Sequence, residues 1–291
     1  MNELAKQLNI KYPIIGGPMA WTSMAPLVGA ISEAGALGVL GVGFSPTEVV
    51  EEQIKATKQI TDKPFAINVT MSSDAEGNLE RITEIAARNG LQNIYADSLE
   101  GANYKLDQKW FQRWHDEGMN VITKIMSASE AAVADRAGAD VIIAKGWEGG
   151  GHISTTGTLP LLAETLDVVK NAVVVASGGI ADGRGYAAAR VMGAAGVEMG
   201  TAFLAAKEGN VHENVKRVVV EASVDDLVEV GESTGAPCWN LKNDLTAQVA
   251  EVEATHLPRE AAPLVAKLAS GSLRIGSTEG ELQHRGAAMP G

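Results

Sequence analysis

Eight short apolar runs recur along the chain, separated by seven stretches of helical character. The runs are PIIGG (13–17), LGVLGV (37–42), FAINV (65–69), QNIYA (92–96), NVITKI (120–125), DVIIA (140–144), AVVVAS (172–177) and GVEMG (196–200). They are rich in β-branched residues and apolar on both faces, the pattern of strands buried in a parallel sheet. Between them lie amphipathic segments such as SPTEVVEEQIKATKQI, NLERITEIAARNG and QKWFQRWHDEG, several ending in glycine as helix C-termini do. Alternating strand and helix predicts an α/β fold. Eight strands with seven crossovers predict a (β/α)8 TIM barrel, with a doubly wound open sheet as the rival arrangement.

The rhythm breaks after residue 201. A charged helix is expected over 207–222, followed by short helical pieces and loops to about residue 283. This divides the chain into a barrel over residues 1–206, a small C-terminal helical cap or substrate lid over 207–283, and a return to the barrel over 284–291. No eighth barrel helix is visible. The chain reaches GAAMPG where that helix is expected to begin, as in a chain lacking its natural tail.

Charge and cysteine usage narrow the function classes. A net charge of −12 argues against a nucleic-acid partner. It leaves room for a small anion held by local donors. Cys238 is the single cysteine, so no internal disulfide forms, which suits a reducing cytoplasm. No apolar run reaches membrane-spanning length, and MNELAKQLNI lacks the basic start and apolar centre of a secretion signal.

In a β/α barrel the reactive face lies at the C-terminal ends of the strands. The sixth strand ends in KGWEGGGHISTT, where Gly149, Gly150 and Gly151 strip the backbone bare before His152. Bare backbone lets a planar ligand lie close; the plainer alternative is a flexible turn with an exposed histidine. The seventh strand ends in Ser177-Gly178-Gly179 and the eighth in Gly200-Thr201. The loops after those two strands are the usual phosphate site of such barrels, and a helix begins near Asp182. Glycines there also ease tight packing, which is the competing explanation. The first strand opens into Gly17-Pro18-Met19-Ala20-Trp21, suited to the face of a flat ring. Asn68 ends the third strand with an amide, and Lys124 the fifth with a cation. Either could hydrogen-bond a ring edge that gains negative charge on reduction.

Other signatures are missing. No G-x-G-x-x-G follows a strand, and neither a P-loop nor a G-x-S-x-G elbow occurs. The five histidines show no metal-ligand spacing.

The segments PIIGGPMAW (13–21), AISEAGALGVLG (30–41), DKPFAINV (62–69), GGGHI (149–153), VVVASGGIADGRGYAAARVMGAAGVEMGTAFLAAKE (173–208) and LKNDLT (241–246) resemble the nitronate monooxygenase superfamily, formerly the 2-nitropropane dioxygenases. That superfamily includes FMN-dependent enoyl-acyl-carrier-protein reductases. The resemblance implies FMN held non-covalently, with Pro18, Met19, Ala20 and Asn68 beside the isoalloxazine and Gly151 lining the site. Ser177, Gly178, Gly179, Gly200 and Thr201 would hold the phosphate. His152 would stand over the flavin beside the substrate, as the catalytic residue. A homodimer and a monovalent cation site are implied on the same footing.

Ala20-Trp21, KEGNVHENVKR (207–217) and LKNDLT lean towards the reductases. Trp239 departs from the arginine expected before LKNDLT, and 97–107 departs from the usual glycine-rich fourth loop. Three activities follow on one cofactor. They are NADH- or NADPH-dependent reduction of an enoyl thioester, with an acyl carrier protein as a further partner, oxidation of a nitronate with oxygen, and reduction of a quinone. A flavin-binding subunit without turnover of its own is the rival of a different class.

Overall fold

The computed structural model describes residues 2–98 and 101–291. Leu99 and Glu100, in the departing fourth loop, lie outside the described residues. The strands are β1 (Ile14–Gly16), β2 (Leu37–Leu40), β3 (Phe65–Thr70), β4 (Asn93–Asp97), β5 (Asn120–Ile125), β6 (Val141–Lys145), β7 (Gly151–His152), β8 (Val173–Ser177), β9 (Gly196–Met199), β10 (Leu227–Val230) and β11 (Cys238–Leu241). Among the described residues β1–β6, β8 and β9 close an all-parallel barrel, and β9 returns to β1 through Ile14↔Val197 and Gly16↔Met199. The barrel expectation therefore holds over the open sheet.

Two apolar layers explain why those runs become strands. Side chains facing inward, among them Ile15, Leu37, Val39, Ala66, Ile122, Val141, Ile143 and Val175, fill the barrel. Those facing outward, including Leu40, Ile67, Val69, Ile94, Val121 and Ile142, pack under the helices. Burial on both sides leaves no polar alternation for the sequence to display. The aromatic helix Tyr104–Asp116 buries Trp110, Phe111 and Trp114, and the Trp114 indole donates to Thr83 Oγ1 at 2.8 Å.

The N-terminal helix Glu3–Gln7 closes the bottom of the barrel, with Leu4 and Leu8 packed into the inward-facing layer. His115, on that aromatic helix, bonds Asp140 at 2.8 Å close to the same end.

Beyond β9 the chain forms the helix Glu213–Glu221, then a pair of longer helices, Asp244–Thr255 and Pro258–Ala269. The cap also carries a sheet that the sequence did not announce. β10, β11 and β7 form an antiparallel sheet, with Cys238 opposite His152 and Trp239 opposite Gly151. Within the span expected to hold short helical pieces, VDDLVEV (224–230) is a 3-10 turn leading into β10. These strands hold two to four residues each, too few for a period of two to stand out. Their partners are also far apart in the chain.

Candidate active site

The glycine-rich turns meet at one end of the barrel. A Cβ on Gly178 would lie 2.8 Å from Thr158 Oγ1 and 3.0 Å from the Gly149 nitrogen, so the loops after β6 and β8 touch backbone to backbone. Gly178 and Gly179 have φ of +105° and +68°, a conformation glycine adopts without strain. The Gly151 N–H donates to Met289 O at 3.2 Å, and the Gly291 N–H donates to Thr201 Oγ1 at 3.0 Å. Residues 289–291 therefore bridge the β6 loop to the β9 loop. On the far side of Gly200, a Cβ would stand 3.7 Å from the Met19 sulfur, which joins the β1 turn to the same ring of loops.

The β1 turn is rigid. Met19 N–H donates to Ser23 Oγ at 3.1 Å, and Thr22 N–H returns to Met19 O. Pro18 and Ala20 lie in this turn, half-buried. Gly17 sits directly over Glu198, whose carboxyl carbon would be 3.0 Å from a Cβ there. The Met19 side chain packs against the cap cluster of Leu204, Val211 and Leu241 as well as towards Ile31.

Asn68 is fixed by the Gly43 N–H, which donates to its Oδ1 at 2.7 Å. That bond assigns the other end of the carboxamide as the donor available to a ligand. Lys124 forms an ion pair with Asp97 at 2.9 Å, so the cation it brings to the mouth is a paired one.

The Ser177 hydroxyl, expected at a phosphate, donates instead to Glu198 Oε1 at 2.9 Å inside the barrel. The helix after it, Gly183–Met192, is capped by Asp182, which accepts from Arg184 and Gly185 N–H. Its first donors are thus already taken. What these loops present to an anion is the glycine backbone of Gly178, Gly179 and Gly200 together with the Thr201 hydroxyl.

Three polar residues that strand patterning concealed lie beneath the mouth. Tyr95, on β4, reaches across the barrel to donate to Glu198 Oε2 at 2.8 Å. Glu198 is fully enclosed, and burial raises its carboxyl above the ordinary range against the pull of Tyr95, Ser177 and the two lysines. Lys145, the last residue of β6, donates to Gly150 O at 2.5 Å and His152 O at 2.9 Å, pinning the glycine loop. Burial and the neighbouring Lys124 pull its ammonium down to about 8. A carboxylate in an otherwise apolar run, GVEMG, was the one sequence signal for this cluster.

His152 is exposed at the mouth. Desolvation by the surrounding loops, then Lys124 and Lys145, push its imidazole below the ordinary value. That shift favours the uncharged ring, which offers one donor and one acceptor. Cys238 lies opposite it on β11, its thiol pushed up to about 11 by burial and so not a thiolate. Among the described residues no cluster of His, Cys, Asp and Glu could hold a metal ion. A cavity of about 560 Å³ lies at the opposite end of the barrel, by Asn9, Lys58 and Gln92, away from this chemistry.

A closed parallel barrel with a glycine-lined mouth and a neutral imidazole over it defines a class of β/α-barrel enzymes whose chemistry sits at the strand C-termini. The chain belongs to the nitronate monooxygenase family, whose profile matches residues 2–289, and it is an oxidoreductase of that family. A probable nitronate monooxygenase of Staphylococcus saprophyticus is 29% identical over 84% of this chain and 80% of its own length. A Mycobacterium tuberculosis protein named (3aS,4S,5R,7aS)-5-hydroxy-7a-methyl-1-oxo-octahydro-1H-indene-4-carboxyl-CoA dehydrogenase is 34% identical over 84% of this chain and 67% of its own length. The solved structure of FabK from Thermotoga maritima superposes with a TM-score of 0.90 at 34% identity, covering 100% of this chain and 88% of that one. No helix among the described residues is long and apolar enough to cross a membrane.

Proposed function

We propose that this protein is an FMN-dependent reductase that passes reducing equivalents from NADH or NADPH to the carbon–carbon double bond of an enoyl thioester. The observation that carries the reading is the convergence of glycine backbone from the β1, β6, β8 and β9 loops on one mouth beneath His152. The residues present fit the cofactor. Gly151 has open space where a Cβ would project, and the nearest atom to a Cβ at Gly200 is the Met19 sulfur at 3.7 Å. Asn68 is locked with its donor end available.

Bound FMN would supply hydride transfer; the chain supplies position and hydrogen bonds. Gly17, Pro18, Met19 and Ala20 would form the floor against the ring, Asn68 would donate to its edge, and Gly150 and Gly151 would line its side. Gly178, Gly179, Gly200 and Thr201 would hold the phosphate, while Ser177, turned inward to Glu198, would not. Lys124, paired with Asp97, and Lys145 would keep the ring's surroundings positive as charge builds. His152, uncharged, would donate its N–H to the thioester carbonyl and orient it, stabilising the developing enolate.

Support for the thioester comes from the likeness to FabK, an enoyl-acyl-carrier-protein reductase, over the whole chain. It comes also from a relative whose name is that of an acyl-CoA-handling dehydrogenase. Either CoA or an acyl carrier protein could carry the thioester. The second reading, oxidation of alkyl nitronates with oxygen, is favoured by the staphylococcal relative. In it the positive field of Lys124 and Lys145 would hold the anion.

One anaerobic experiment separates them. The FMN-loaded protein is mixed with NADH or NADPH and its visible absorbance followed, then an enoyl-CoA is added. Bleaching by nicotinamide and recovery with the thioester is expected. Bleaching by a nitronate but by neither nicotinamide overturns the reductase reading in favour of the monooxygenase.

A further inference from the structure

We propose that Glu198, held between the Tyr95 and Ser177 hydroxyls beneath the mouth, takes up one proton from water when the cofactor above it is reduced. The inference rests on the reading of FMN at this mouth.

The upper interior of the barrel is polar. Cross-strand register sets Lys145, Ser177 and Glu198 side by side on β6, β8 and β9. Each oxygen of the Glu198 carboxyl accepts one hydroxyl, Oε2 from Tyr95 at 2.8 Å and Oε1 from Ser177 at 2.9 Å. The β1 turn covers it, since a Cβ on Gly17 would lie 3.0 Å from the carboxyl carbon. Glu198 is 7% exposed. Lys124 is paired with Asp97, and Lys145 donates to the Gly150 and His152 carbonyls, so both lysines act on Glu198 from a distance. A glutamine would satisfy the same two hydroxyls without enclosing a charge. A carboxylate there is costly to bury, and such groups gather where charge changes during function.

The other titratable groups facing the cluster are less free to change charge. Asp97 is matched by the Lys124 ammonium at 2.9 Å. Burial, then Glu198 and Asp97, raise the Tyr95 hydroxyl well above its ordinary value, so it keeps its proton. Lys145 is already an ammonium below about 8. Burial and the two lysines hold His152 towards its uncharged form. Burial raises the Glu198 carboxyl, and Tyr95, Ser177 and the lysines pull it back. That balance leaves it responsive to a new charge.

Hydride transfer from NADH or NADPH carries two electrons and one proton, leaves an oxidised nicotinamide, and adds one negative charge at the mouth. A negative charge raises the proton affinity of acids near it, most of all where the dielectric is low. One proton from water then converts the Glu198 carboxylate to the carboxylic acid and neutralises the added charge. The proton returns to water when the hydride leaves for the substrate.

The test reads the FMN-loaded protein in two ways. Glutamate carrying a heavy carbon isotope at its side-chain carboxyl sets protein bands apart from the flavin's own carbonyls, and infrared difference spectra are recorded on electrochemical reduction. A labelled protonated-carboxyl band should grow on reduction of the unaltered protein and be missing in Glu198→Gln, which keeps both hydroxyls bonded. The midpoint potential is then followed against pH. The unaltered protein should fall more steeply than Glu198→Gln, by up to tenfold in the reduction equilibrium per pH unit, about 30 mV for two electrons. Protons taken up by the cofactor are common to both proteins, so the difference isolates the side chain. A carboxylate with a purely structural role gives no labelled band on reduction and parallel slopes; either result overturns the proposal while FMN binding stands. If Glu198→Gln does not bind FMN, the labelled band of the unaltered protein decides alone. Failure of the unaltered protein to bind FMN overturns the proposal together with the reading beneath it.

Discussion

The two ends of the barrel are closed by opposite means. At the bottom, Leu4 and Leu8 enter the inward-facing layer, and the polar groups there are neutral or satisfied locally, as when Gln7 bonds Asn120 at 2.9 Å. At the top, the same strands end in Lys124, Lys145 and Glu198, enclosed beneath loops of glycine. The bottom buries apolar surface, which stabilises the fold. The top encloses charges, which costs stability unless each is paired and hydrogen-bonded. Identical architecture at both ends therefore serves stability at one and, in the proposed function, chemistry at the other, and substitutions at the two ends should separate cleanly.

The largest separation is expected from His152→Ala. Turnover should fall by about 10²- to 10⁴-fold while FMN content and melting temperature hold, because the side chain is exposed and caps nothing. Steady-state kinetics alongside a flavin spectrum checks it; undiminished turnover removes the catalytic role. At the other end, Leu8→Ala should cost about 2–5 kcal/mol in denaturant unfolding, with turnover per folded molecule unchanged. A change in turnover comparable to that of His152→Ala would break the division between the ends.

A sharper probe lies between them. Tyr95→Phe leaves Glu198 one donor short and should destabilise by about 1–3 kcal/mol. It should also raise the Glu198 carboxyl further, since its Tyr95 bond pulls the other way. Infrared difference spectra of the carboxyl band on titration report that shift. A further effect is in pH dependence. The folded chain releases the Lys145 proton near pH 8, whereas the unfolded chain keeps it to the ordinary value of 10.5. The unfolded state then binds more protons across that window, so stability contributed at this site rises with pH. Lys145→Met should lack that rise in urea unfolding measured below and above the window; an identical rise in the variant would mean the amine is not depressed.

The barrel was legible because its signal repeats. Eight apolar runs with helices between them leave little but a closed parallel sheet, and each run lands on a strand within a few residues. The glycine turns were legible for a related reason. Once strand ends are known, Gly149–Gly151, Gly178, Gly179 and Gly200 must fall at the same end of the barrel. The cap sheet was not legible, since a two-residue β7 inside GGGH reads as loop until Cys238 is brought alongside. Nor was the Tyr95–Glu198 bond. Each residue looks like a strand interior position, and only closure of β9 onto β1 sets them facing across the barrel. Ser177 shows the limit of motif reasoning. Its position after a phosphate-loop strand is as expected, but the hydroxyl points inward because a buried carboxylate needs it.

The central claim is that the glycine-lined mouth binds one flavin mononucleotide, and equilibrium titration of flavin-free protein with FMN tests it most directly. Quenching of flavin fluorescence should saturate at one FMN per chain. Gly179→Val, which forces a branched side chain into a φ of +68° beside Glu148, should weaken binding strongly while circular dichroism stays unchanged. Failure of the unaltered, folded protein to bind FMN at all would contradict the account.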